Sequence, residues 1–174
     1  MSEERELLRE TVAALVDKHA SPAAVRQAMA SERGYDESLW KLLCEQVGAG
    51  QALLDASVEY AKQRSQFGKV IGTYQAIKHK LADVHIAIEL ARPLVYGAAL
   101  SLADNSKDTA RDVSAAKVAA SDAALLAARS ALQTHGAIGF TQEHDLSLWL
   151  LRVQALRSAW GNPTVHRRRV LEAL

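Results

Sequence analysis

Apolar side chains recur at three- and four-residue steps along almost the whole chain, and runs that alternate in twos are scarce. That is the helical period, so the pattern predicts an all-α protein. Leu7, Leu8, Val12, Leu15 and Val16 form the stripe of a first short helix, capped by Ser2. Ser21 and Pro22 open a second as N-cap and first helical residue, and Arg33-Gly34-Tyr35 ends it. Asp36 then caps a long helix carrying Leu39, Trp40, Leu42, Leu43, Leu53, Leu54, Val58 and Ala61, which Gly48 and Gly50 weaken without ending.

The stretch from Gln66 to Gly72 reads as a loop. Thr73 caps a further long helix, with Ile77, Leu81, Val84, Ile88 and Val95 on its apolar face and Pro93 as a kink or local break. After a turn at Asp104-Asn105-Ser106, another long helix runs from Thr109 to Thr134. Nine of the residues between Arg111 and Leu132 are alanine, eight of them in four adjacent pairs, which makes a smooth face for close helix packing. His135 to Gly139 is a second glycine loop. A helix from Glu143 to Ala159 follows, closed by Gly161-Asn162-Pro163, and a short basic helix ends the sequence. Long helices joined by short loops predict an up-down four-helix bundle over 36–159, preceded by two short helices. The boundary falls at Arg33-Gly34-Tyr35, dividing 1–35 from 36–174.

Composition narrows the class of function. The chain has 174 residues, 49% of them hydrophobic and 24% charged, which are globular proportions. A net charge of +1 argues against a nucleic-acid binder. Cys44 stands alone, so no internal disulfide is expected and a reducing compartment fits. The charged opening MSEERELLRE lacks the apolar run of a signal peptide, and no long uncharged apolar stretch points to a membrane span, so a cytoplasmic protein is expected.

Composition and spacing alone give little chemistry. The six histidines are scattered, and His79 and His85 fall on different helical faces, so no metal site is expected. Cys44 lies in an apolar stripe and reads as an inert buried thiol. The glycines after Gln133 follow no strand, so they fail the context of a dinucleotide fingerprint and are equally readable as a helix C-cap. Glu143 and Asp145 read as acidic residues at a helix start. Arg64 beside a glycine loop is either an anion ligand or a solvated cation, and Arg167-Arg168-Arg169 a dipole-matched helix end.

Two longer motifs carry a resemblance. Residues 60–75, YAKQRSQFGKVIGTYQ, are similar to the acyl-CoA dehydrogenase signature Y-x-x-x-R-x-Q-F-G-x-x-I-x-x-x-Q, and residues 133–143, QTHGAIGFTQE, resemble its Q-x-x-G-G-x-G-[YF]-x-x-E. The resemblance covers about 36–174 and is to the C-terminal helical bundle of that family. Residues 1–35 resemble a remnant of its N-terminal helical domain, and the middle β-domain has no counterpart. The stretches around HDL and AWGNPTVHRRR resemble members that act in steroid breakdown.

The resemblance implies FAD as cofactor and α,β-desaturation of an acyl-CoA as the family reaction. Arg64 matches the arginine that reaches the FAD pyrophosphate, and an always-charged, fork-shaped donor suits a diphosphate. Phe67 and Gln75 match further cofactor contacts, while Gln133 and Gly136 match the segment that approaches the adenosine half from a neighbouring subunit. Ala137 replaces the second glycine of that motif. At the position of the catalytic glutamate stands Trp160, and the alternative base position falls near Ser38, beside Glu37. No catalytic residue is therefore assigned, and Glu143 is not the base. The implied role is a subunit of a heteromeric dehydrogenase whose partner supplies the base. A homo-oligomer and an electron-transfer flavoprotein are further partners that the resemblance admits. A helical oligomerisation module that binds no flavin is the competing reading.

Overall fold

The computed structural model describes residues 37–141 and 144–174, with the backbone alone for 37–44 and Phe140. The two expected N-terminal helices, the Asp36 cap, the Cys44 thiol, Glu143 and the side chains of Glu37 and Ser38 lie outside the described residues or atoms. Five α-helices follow in order: α1 (Glu37–Gln63), α2 (Gln75–Ala103), α3 (Thr109–His135), α4 (Leu146–Ser158) and α5 (Pro163–Glu172). The all-α bundle expected from the periodicity is the architecture observed.

Helix α3 is the hub, packed against all four others. Its small residues explain this. Ala116, Ala120, Ala123, Ala124, Ala127, Ala128 and Ala131 are all buried, which lets partner backbones come close. A Cβ added to Gly50 of α1 would lie 3.4 Å from the Cα of Ala124, so the helices meet where both residues are small. Leu53, Val84, Ile88, Val113, Leu146 and Val153 fill the remaining core.

Several boundaries differ from the sequence expectation. Residues Gln66–Gly72 are not an open loop. A two-stranded hairpin, β1 (Ser65–Gln66) and β2 (Lys69–Val70), is joined by Phe67 and Gly68 and followed by a 3-10 turn at Ile71–Thr73. Phe67 and Gly68 have φ of 53° and 81°, the doubly left-handed pair of a two-residue hairpin turn. Thr73 does not cap α2. Its Oγ1 donates to the Val70 carbonyl, and Tyr74 occupies the N-cap with no side-chain bond. Helix α4 starts at Leu146 rather than Glu143, where the Leu146 amide donates to His144 Nδ1. Helix α2 runs on through Pro93 without a break. Proline's missing N–H costs less there because residue 93 lies on the exposed face.

By length and composition α2 alone among the described helices is apolar enough to cross a membrane, although Glu89 and Arg92 interrupt its apolar run. One face, with Leu81, Val84, Ile88, Ala91, Val95 and Ala98, packs into the bundle. Its outer face carries Ile86, Leu90, Leu94 and Leu100, and Leu90 is 66% exposed.

Candidate functional site

The hairpin leans toward the C-terminal end of α3, and an open cleft of about 500 Å³ lies between them. Arg64 and Phe67 line it from the hairpin side, and Gln133, Gly136 and Ala137 from the end of α3 and the turn after it. Four of the five sequence-predicted cofactor residues are thus brought together across a long stretch of chain. Gln75 is the exception. It is the exposed first residue of α2, and its neighbours Tyr74, Ala76 and Ile77 line the cleft instead.

Local structure fixes each wall. The Arg64 amide donates to the Tyr60 carbonyl at 2.9 Å, and the Arg64 carbonyl accepts from Ile71 N at 2.8 Å, so the residue is clamped where α1 ends. Its guanidinium is exposed and makes no ion pair among the described residues. Phe67 projects from the hairpin tip with 92% of its surface exposed. Gly136 has φ of 65°, and a Cβ built on it would touch nothing within 4 Å among the described residues. Backbone conformation rather than crowding within this chain therefore explains that glycine. Helix α2 begins at the cleft without a side-chain cap, which adds the positive end of its dipole to the charge of Arg64.

The floor is aromatic, and neither motif shows the pairing that builds it. The Tyr60 and His135 rings stack at 4.3 Å, and His144 meets His135 edge-on at 5.2 Å. The buried His135 Nδ1–H is placed to donate to the Ala131 carbonyl at 2.8 Å. Burial pushes its pKa below the usual value, opposed by that hydrogen bond and aided by the nearby His144. Tyr60 and His135 lie far apart in sequence, so no local pattern could have paired them.

A diphosphate-bearing ligand fits this donor set. One free guanidinium, an uncapped helix start and aromatic plates converge on a cleft of ordinary ligand-site size. A second groove of about 550 Å³ between α1 and α2 is a poorer match, because Asp55 and Glu59 on its wall would repel phosphate.

The turn after α4 is a different environment. Trp160 is 6% exposed and has φ of 56°. The indole is buried in this chain's own core. Asn162 caps α5, its Oδ1 accepting from Thr164 N and Val165 N, with Pro163 as first helical residue. Among the described residues no group of three or more His, Cys, Asp or Glu side chains could hold a metal ion.

Residues 36–174 match the family described as acyl-CoA dehydrogenase, C-terminal domain, and the chain belongs to the acyl-CoA dehydrogenase family. Acyl-CoA dehydrogenase IpdE2 of Mycobacterium tuberculosis is 28% identical over an alignment of 312 positions, covering 97% of this chain and 96% of that protein. That alignment is far longer than the 174 residues present, so a large part of the relative faces a gap in this chain. Butyryl-CoA dehydrogenase from Megasphaera elsdenii superposes with a TM-score of 0.73 at 32% identity, over 78% of this chain and 35% of that one. The ChsE4–ChsE5 complex from Mycobacterium tuberculosis gives 0.73 at 28% identity, over 78% of this chain and 36% of that one. The chain therefore spans about a third of the solved structures it matches. The described part is the helical C-terminal-like portion, with no middle β-domain, and FAD is the cofactor of the family.

Proposed function

We infer that this chain is a subunit of a heteromeric acyl-CoA dehydrogenase and contributes half of an FAD site across the subunit interface. The observation that carries the reading is the open cleft uniting Arg64, Phe67, Gln133 and Gly136. Arg64 would hold the pyrophosphate by a charge-assisted fork, Phe67 would offer an apolar plate, and the Gln133 amide and Gly136 backbone would meet the adenosine half. Bound FAD would supply the acceptor for the β-hydride of an acyl-CoA. No described residue of this cleft covers a flavin ring, and in this reading the partner's wall excludes water from the reacting end.

The partner also supplies the base in this reading. An indole cannot abstract the α-proton of an acyl thioester, and Trp160 is turned into this chain's own core. The match to a two-component complex supports a partner of the same family. We place residues 1–35 as a remnant of the family's N-terminal helical domain, supported by an alignment that covers 97% of this chain.

The decisive experiment is co-purification with an acyl-CoA dehydrogenase that keeps the glutamate, followed by visible spectroscopy and titration with FAD. Flavin bands and acyl-CoA oxidation in the pair, with neither in this chain alone, are expected. A colourless complex whose FAD content does not change on adding this chain would overturn the reading. The flavin-free oligomerisation module is favoured by one observation, the outward apolar face of α2, and predicts that result.

A further inference from the structure

Phe67 is a bulky residue in a left-handed turn, and such a residue holds that conformation only when its surroundings over-determine it. The hairpin itself is too short to do so, since each strand has two residues. The missing restraint comes from Tyr74, just before α2. Its Oη donates to the Gln66 carbonyl at 3.1 Å and lies 3.5 Å from the Phe67 carbonyl. The Lys69 ammonium sits 4.3 Å from the centre of the Tyr74 ring, tying the returning strand to the same side chain. Below the tip, the Ile71 amide on the Arg64 carbonyl closes the base of the loop. One tyrosine thus bonds the turn from beneath while its ring is clasped by the strand that leaves it.

We propose that Tyr74, assisted by Lys69, is a positioning residue for the dinucleotide: it locks the Phe67–Gly68 turn so that the Phe67 ring faces the cleft before a ligand arrives. Pre-ordering the turn removes an ordering cost that binding would otherwise carry. The proposal rests on the reading of the cleft as a flavin half-site. It goes beyond that reading by assigning affinity to a residue whose hydroxyl is spent on the protein backbone.

The test uses Tyr74→Phe, which keeps the ring and removes the hydroxyl, with Lys69→Met as the companion variant. Two readouts are taken on the full chain with its dehydrogenase partner. The first is hydrogen–deuterium exchange of the 65–70 amides without ligand, and the second is FAD affinity by flavin fluorescence. Tyr74→Phe is expected to speed exchange in 65–70 and weaken FAD by about three- to tenfold, with Tm unchanged. In a Phe67→Ala background the same substitution should cost little further affinity. Unchanged exchange in Tyr74→Phe would overturn the brace. An undiminished affinity loss in the Phe67→Ala background would overturn positioning in favour of direct contact with the ligand. Absence of FAD binding by the unsubstituted complex would overturn the half-site reading and this role with it. Arg64→Ala separates the two failures, because it must weaken FAD if the half-site exists, whatever Tyr74 does.

Discussion

The ring of His166 holds the carbonyl of Trp160, its Nε2–H directed at that oxygen at 3.0 Å. The other ring nitrogen faces Ser114 Oγ at 3.2 Å and accepts from it, so a neutral imidazole of one tautomer bridges α3 to the turn after α4. His166 is 1% exposed, and its pKa is pushed down to about 4. Burial is the main cause; the Trp160 hydrogen bond opposes it, while Arg169 and Lys117 add to it.

An acid-dependent loss of stability follows from this pair. The folded pKa lies below the ordinary value of about 6.5, so the unfolded chain binds more protons between those values. The contribution is fully present above about pH 6.5 and is lost as pH falls through about 4. Its size is on the order of 3 kcal/mol. Urea denaturation across this range should show the decline, and His166→Gln should flatten it while lowering stability at pH 7. A wild-type stability that stays level from pH 6.5 to 4.5 would refute the assignment.

Lys117 makes a second titration experiment. It is 1% exposed, with its Nζ donating to the Leu156 carbonyl at 2.5 Å and 3.5 Å from Gln46 Oε1. It thereby satisfies a carbonyl at the end of α4, and no carboxylate pairs with it among the described residues. Burial, and then the charge of Arg157, pushes its pKa down to about 8. The unfolded chain holds its proton up to about 10.4, so stability should rise as pH climbs from about 8 toward 10. Lys117→Met should abolish that rise in guanidinium melts at pH 8, 9 and 10.

Two glycines separate conformational from steric need. A Cβ on Gly72 would lie 2.9 Å from the Ala61 carbonyl oxygen, which is backbone and cannot step aside. Gly72→Ala should therefore cost about 1–3 kcal/mol and disturb the hairpin base. A Cβ on Gly48, inside α1, would meet nothing within 4 Å among the described residues. Gly48→Ala should raise stability by about 0.5–1 kcal/mol through helix propensity. Thermal melts of the two variants, expected to move in opposite directions, test both.

Arg64→Ala in the assembled complex should weaken FAD by about tenfold to a hundredfold, the loss typical of a charge-assisted contact. Because Arg64 is exposed and unpaired among the described residues, Tm without flavin should hardly move. Equal flavin affinity in the variant would remove Arg64 from the site.

The outward face of α2 predicts association. Ile86, Leu90, Leu94 and Leu100 form a helical stripe of exposed apolar residues, the kind of surface that association covers. The chain should scatter light as a dimer or larger at micromolar concentration, and Leu90→Lys with Leu94→Lys should shift it toward smaller species. A clean monomer before substitution would contradict this.

The sequence by itself determined the long helices and the inward faces of α1, α2 and α3. Burial of one face repeats every three to four residues, and that period is written in the order of side chains. The alanine pairs of α3 announced its close packing, and the two long signatures announced the family. Tertiary structure decided what depends on pairs distant in the chain. Tyr60 stacks on His135 because α1 and α3 end side by side, and no local pattern encodes that meeting. The left-handed Phe67 turn, hidden inside an apparent loop, is stabilised by Tyr74 seven residues later. The start of α4 moved to Leu146 because an imidazole, rather than a side-chain oxygen, supplies its first acceptor. Lys117 is inside rather than solvated because the Leu156 carbonyl near the end of α4 accepts from it there, a partner that exists only once the bundle has closed.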